Sequence, residues 1–223
     1  MRFCANQHPS FPSQALLAAA ATLALLAAGC NSSANSTSSD DRSTTGAGSR
    51  IDVNCIGNHV ANPPEAFHYS YKTTDGQNVV DKEADITPQN MEIAIQNKAG
   101  LHKYHGVRSD ETSWDSAVLD LSGDGFTVMS ARVAFIKDKT SVSPAGAGAM
   151  NGYQTTKYSI DTTSANSSDR RSYETLFGSG SYEKGAIWVT ADGCPVKLVL
   201  DEGTQKANGS VDKSHYEMAM IKK

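Results

Sequence analysis

The chain has 223 residues, 20 of them basic and 24 acidic, for a net charge of −4. That mildly acidic balance, with no basic patch, argues against nucleic acid as a partner. The length beyond the low-complexity start suits one domain with one core.

The stretch Gln14 to Cys30, QALLAAAATLALLAAGC, determines where the rest of the chain is placed. Its apolar run from Ala15 to Ala28 is short and alanine-rich for a bilayer span and ends in small residues, as the hydrophobic part of an export signal does. Leu26-Ala27-Ala28-Gly29-Cys30 resembles the lipobox of bacterial lipoproteins. The resemblance implies cleavage of residues 1–29 and lipid attachment at Cys30, through thioether-linked diacylglycerol and often a further N-acyl chain such as palmitate. Two or more acyl chains give stable anchoring, at about 0.8 kcal/mol per buried methylene. By the same resemblance, Asn31 in place of an aspartate points to the outer membrane facing the periplasm. An ordinary cleaved signal with an incidental Cys30, or an uncleaved anchor helix, are the alternatives. The 194 residues after the signal carry 19 basic and 24 acidic groups, and no second apolar run approaches spanning length.

Residues 30–50 comprise Cys30 and a Ser/Thr/Asn-rich tether that cannot bury enough apolar surface to offset its ordering entropy. As a coil it would hold the domain, residues 51–223, roughly 25 Å from the anchor. With Cys4 in the signal and Cys30 lipidated, Cys55 and Cys194 are left to pair in an oxidising compartment, with two free thiols or a redox pair as the alternative. Neither has a partner at CxxC or CxxH spacing, so no metal site is expected.

Ile51, Val53 and Cys55 alternate with polar residues before Asn62-Pro63-Pro64, which predicts a short strand or strap. Phe67, Tyr69 and Tyr71, then Met91, Ile93 and Ile95, mark strands with one apolar face. Between them Val79 to Thr87 is more polar and suggests an edge strand, and Leu101 to Arg108 suggests another strand. Ser109-Asp110-Glu111 opens a helix over about 110–121, and Phe126, Met129, Val133 and Ile136 fit a second helical stripe, with a strand as the alternative that Val128 and the Val133/Phe135 pair also fit. Ser143 to Gly152 is expected to be a loop, Tyr153 to Asp161 a strand, and Ser164 to Gly178 to contain a helix capped by Ser168. Ala186 to Ala191 and Cys194 to Asp201 flank Asp192-Gly193, the signal of a two-residue type I′ hairpin pairing Val189 with Val196 and Ile187 with Leu198. His215 to Ile221 reads as a last strand. The sum is α+β: a curved antiparallel sheet, or half-barrel, with two or three short helices covering one face.

Lipobox, tether, amphipathic strands, central helices and the late pair Gly185 to Leu200, together with Asn151-Gly152-Tyr153, resemble the LolA/LolB and LprG/LppX superfamily. The resemblance implies an open half-barrel around an apolar cavity and a non-enzymatic role in binding or carrying an acyl lipid or another hydrophobic ligand. The candidate ligand face is then Ile187, Val189, Val196, Leu198 and Leu200 with Met91, Ile93 and Ile95. The same faces serve equally as a dry packed core of a structural or protein-interaction lipoprotein, whose partner would be another envelope protein. His102 and His105 fall on opposite faces of a strand, Asp120 to Asp124 lacks the further carboxylates of a calcium loop, and no cofactor motif is present.

Overall fold

The computed structural model describes residues 51–223 apart from Asp124 and Ala207, and the side chains of Phe126 and Val128 are not described. The stretches expected to form the signal, the lipobox with Cys30 and Asn31, and the tether lie outside the described residues, as does Asp124.

Chain order is α1 (Asn54–Ala61), β1 (Phe67–Asp75), β2 (Asn78–Ile86), β3 (Asn90–Asn97), β4 (Gly100–Val107), α2 (Glu111–Ser122), α3 (Gly125–Ile136), β5 (Val142–Met150), β6 (Tyr153–Asp161), α4 (Ser167–Phe177), β7 (Tyr182–Thr190), β8 (Pro195–Gln205) and β9 (Val211–Lys222). The strands form one antiparallel sheet in the order β4-β3-β2-β1-β9-β8-β7-β6-β5. Two meanders, β1 to β4 and β5 to β9, are zipped together by β1 against β9, with Tyr69 opposite Met220 and Tyr71 opposite Met218. The sheet stays open, so β4 and β5 are its two edges. The expected α+β curved sheet is the observed class.

Alternation puts Phe67, Tyr69 and Tyr71, Met91, Ile93 and Ile95, and Tyr216, Met218 and Met220 on one buried inner face. Trp114, Ala117 and Leu121 of α2 and Met129, Val133 and Ile136 of α3 are buried in the same core. Helix α2 comes so close to β4 that a Cβ on Gly106 would lie 2.7 Å from Ala117 Cβ, which explains glycine at that inner position. Asp110 caps α2 by accepting from Ser113 N at 3.2 Å, as its sequence predicts.

The described residues hold four helices where two or three were expected, because residues 54–61 form α1 rather than a strand or strap. Ile56 and Val60, one helical turn apart, are its buried pair, and Asn58 between them is exposed. β2 is interior rather than an edge, since β3 and β4 pair beyond it. Ser143 to Gly152 is no loop. Val142 to Met150 pairs with β6 through Asn151-Gly152, whose φ values of 55° and 86° make this the two-residue type I′ hairpin.

The β7–β8 turn is different from the one expected. Gly193 N donates to Thr190 O and Thr190 N to Cys194 O, and Gly193 alone of the central residues has positive φ. This is a three-residue loop with a glycine bulge. Ile187 does pair with Leu198, but Val189 pairs with Pro195, and Val196 is the extra residue. In α4 the N-cap is Asn166, accepting from Ser168 N and Asp169 N, rather than Ser168.

Candidate functional site

The eight residues expected to surround an apolar tail do converge on the inner face of the sheet. Met91, Ile93 and Ile95 on β3 are 0%, 3% and 8% exposed, and Ile187, Val189, Val196, Leu198 and Leu200 on β7 and β8 are at 2% or less. Their cover is the protein's own helices. Between α1, α3 and the sheet, Val53, Ile56, Met129, Val133, Leu198 and Met218 leave a gap of about 10 Å³. That is room for about one water, against the several hundred Å³ of ligand sites. Side-chain alternation found the face, but what lies on it depends on how the helices fold back, which alternation does not encode.

Among the described residues, buried charged groups enter this core at two places. Lys82, 1% exposed, donates from Nζ to Asp120 O at 2.7 Å and Gly123 O at 3.1 Å. A cation thus sits on the carbonyl end of α2, where the helix dipole favours it. At the other place Arg132 of α3 reaches Glu183 Oε1 at 3.1 Å and Glu202 Oε1 at 2.8 Å. Tyr173 Oη donates to Glu183 and Tyr216 Oη to Glu202, at 2.9 and 3.1 Å. Burial pushes the Glu183 carboxyl above its usual range, against the hydrogen bonds from Tyr173 and Arg132. Burial and the neighbouring Glu202 push the Tyr216 hydroxyl up to about 12. Burial alone would lower the Arg132 guanidinium, but Glu202 and Glu183 outweigh it and raise it. Two carboxylates bound to one guanidinium and hydrogen-bonded by two phenols clamp α3 and α4 to β7 and β8, with Glu183 Oε2 and Arg132 Nε buried and without a hydrogen-bond partner.

Cys55 and Cys194 are disulfide-bonded with Cα atoms 5.4 Å apart, tying α1 to the β7–β8 turn across 139 residues of sequence. Asp52 N donates to Gly193 O at 2.9 Å beside it. His59 lies against the bridge, Nδ1 being 3.4 Å from Cys194 Sγ. Sequence reasoning missed His59: with residues 54–61 read as extended, the Cys55-to-His59 spacing of one helical turn carried no meaning.

Surface histidines form pairs of another kind. His68 sits between Glu83 and Asp85 at 2.5 and 2.8 Å, and His215 between Asp201 and Glu217 at 2.6 and 3.1 Å. Hydrogen bonding to Asp201, then Glu217, holds the His215 imidazole above its ordinary range, against partial desolvation. His102 and His105 lie on opposite faces of β4, as expected.

The β5 edge differs from the rest of the molecule. Residues 143–149 are exposed, carry no charge, and include Ala-Gly-Ala-Gly-Ala, while the strand's other side has no hydrogen-bonding partner strand among the described residues. No helix among the described residues is long and apolar enough to cross a membrane.

No family model and no curated protein matches the chain. Solved structures similar to it include MucB in complex with MucA(peri), at 9% identity and a TM-score of 0.31, covering 75% of this chain and 53% of that one. MucB alone matches at 8% identity and 0.29, covering 75% and 56%. The Pseudomonas aeruginosa MucA/MucB complex matches at 9% and 0.32, covering 75% and 54%. The chain thus spans just over half the length of the chains it matches. Likeness at that level decides neither fold nor function, and the chain's own geometry has to carry both.

Proposed function

We propose that this is an exported protein, anchored to the bacterial cell envelope through lipid on Cys30 and facing the periplasm from the outer membrane. Its domain acts as a packed scaffold for binding another envelope protein, without an enzymatic step. The observation that supports this reading is the filling of the sheet's inner face by α1, α2 and α3, which leaves the expected ligand face at 8% exposure or less. The partner contact best matched by the fold is β-strand addition at β5 beyond Pro144, which has no N–H, and the bulge between Pro144 and Gly146: from Gly146 to Met150 the free edge offers backbone N–H and C=O groups flanked mostly by glycine and alanine.

A second reading, an acyl lipid on the same inner face, draws on the gap beside Met129 and Met218. Methionines are adaptable side chains that can repack around a ligand. Native mass spectrometry of the full chain, released from bacterial membranes in mild detergent, separates the two. The scaffold reading expects a chain beginning at Cys30 with covalent acyl mass and nothing else after the detergent is stripped. A stoichiometric non-covalent lipid, lost on activation, contradicts the scaffold and establishes the carrier. A chain that retains residues 1–29, or has an unmodified Cys30, contradicts the anchor.

A further inference from the structure

The β7–β8 hairpin tip brings together three metal-ligating side chains that the scaffold reading does not use. Cys55 and His59 stand one turn apart on α1, and Cys194 meets them from the start of β8. Their ligand atoms all lie within 4.8 Å of one another. His59 Nδ1 is 3.4 Å from Cys194 Sγ and 3.7 Å from Cys55 Sγ. In a tetrahedral zinc site, with Zn–S near 2.3 Å and Zn–N near 2.0–2.1 Å, the N···S edge is about 3.5–3.6 Å. Both N···S edges are therefore already in place. The S···S edge is the missing one, because the sulfurs are bonded to each other, and a tetrahedral site needs them about 3.8 Å apart.

We propose that the reduced form of the protein binds a soft divalent cation of the Zn²⁺ class through Cys55 Sγ, Cys194 Sγ and His59 Nδ1, with the fourth position open to water. A dithiol reductant passes two electrons and two protons to the Cys55–Cys194 bridge and becomes a disulfide itself. Zn²⁺ then displaces the two thiol protons, leaving two thiolates and a neutral imidazole on the metal. Thiolate ligands select Zn²⁺ over Mg²⁺ and Ca²⁺. In the oxidised form the bridge closes the site.

The arrangement does not depend on the bridge alone. Asp52 N donates to Gly193 O, Lys137 Nζ donates to Ile51 O at 3.0 Å, and Ile56 and Val60 are buried in the core on either side of His59, and none of these contacts involves a sulfur. On the Cys194 side, Thr190 holds the turn by accepting from Cys194 N at its Oγ1 and donating its own N–H to Cys194 O. Cys194 is 3% exposed, whereas Cys55 and His59 are half-buried, so reductant and metal approach from the α1 side.

The test is a Zn²⁺ titration of the full chain in a Cys4→Ser, Cys30→Ser background, reduced with a phosphine that does not itself chelate zinc. The expected result is one Zn²⁺ per chain with release of two protons, and a thiolate-to-metal band when Co²⁺ replaces Zn²⁺. His59→Ala should weaken binding by at least about 100-fold, beyond the loss expected for an outer-shell group. Zn²⁺ should also raise the melting temperature of the reduced chain but not that of the reduced His59→Ala variant. Equal affinity in the two chains, no binding by the reduced chain, or a bridge that the phosphine leaves intact under native conditions would each overturn the proposal.

Discussion

Strands β2 and β5 invert the usual relation between polarity and position. β2 carries Asp81, Lys82, Glu83 and Asp85, yet it lies inside the sheet with Lys82 fully buried. β5 carries no charged residue, yet it is an edge with residues 143–149 exposed. What separates them is whether a polar group finds a partner. Lys82 is buried because the carbonyls at the end of α2 receive its ammonium, and Glu183 and Glu202 are buried because Arg132 receives them. β5 is exposed because nothing packs on side chains that offer so little area. Burial here follows pairing and contact area more than residue polarity.

The sharpest way to break that contrast is to strip the buried carboxylates of their partner. Arg132→Ala leaves Glu183 and Glu202 buried and uncompensated, and should destabilise the domain by about 3–5 kcal/mol in denaturant unfolding. A loss below about 1 kcal/mol would mean that the network is not clamping the helices. Lys82→Ala comes next. It removes the cation from the end of α2 together with its buried stem, at about 2–3 kcal/mol, and Lys82→Met should recover part of that by restoring the stem. If alanine and methionine are equally damaging, packing of the stem contributes nothing.

A smaller effect is expected from pH. Because burial raises the Glu183 carboxyl in the folded state, the folded protein binds that proton more tightly than the unfolded chain does. Its contribution to stability is therefore present in acid and is lost as pH rises from the ordinary carboxylate range through the folded value. Asp169 and Asp192 are lowered, chiefly by hydrogen bonds from Thr140 and Thr190 respectively, and they run the other way, losing stability as pH falls. Glu183→Gln removes only the first term. Its melting temperature relative to the unsubstituted protein should thus fall between pH 7.5 and pH 5, and a pH-independent difference would contradict the assignment. The smallest effect belongs to β5. Ala147→Lys should change stability by no more than about 0.5 kcal/mol, as an exposed edge position allows. It should nevertheless abolish strand addition there, and a large destabilisation would show that the edge is covered.

How much of this was legible in the sequence depended on whether a local rule decided the matter. Strict alternation at Phe67-Tyr69-Tyr71 and Met91-Ile93-Ile95 marked the inner face, and Asp110 marked the start of α2. Residues 54–61 misled because an alternating beginning concealed the turn-spaced Ile56 and Val60, and His59 was lost with them. Ser143 to Gly152 misled because glycine and proline disfavour strands, yet the Asn151-Gly152 turn and pairing with β6 outweigh that preference. The polarity of β2 suggested an edge because its partners, the carbonyls of Asp120 and Gly123, are 38 and 41 residues away from Lys82 in sequence. Whether the inner face meets lipid or helix was the least legible, since a strand face is the same in both cases.

That last point is tested most directly at Leu198, which is 1% exposed and borders the gap beneath α3. If the helices pack on it as a core, tryptophan there overfills the site at about 2–3 kcal/mol, and Leu198→Trp should lower the melting temperature by roughly 5–10 °C. A melting temperature unchanged within about 2 °C would mean that space for the larger ring is available, as a lipid-carrying cavity would provide, and would contradict the packed scaffold.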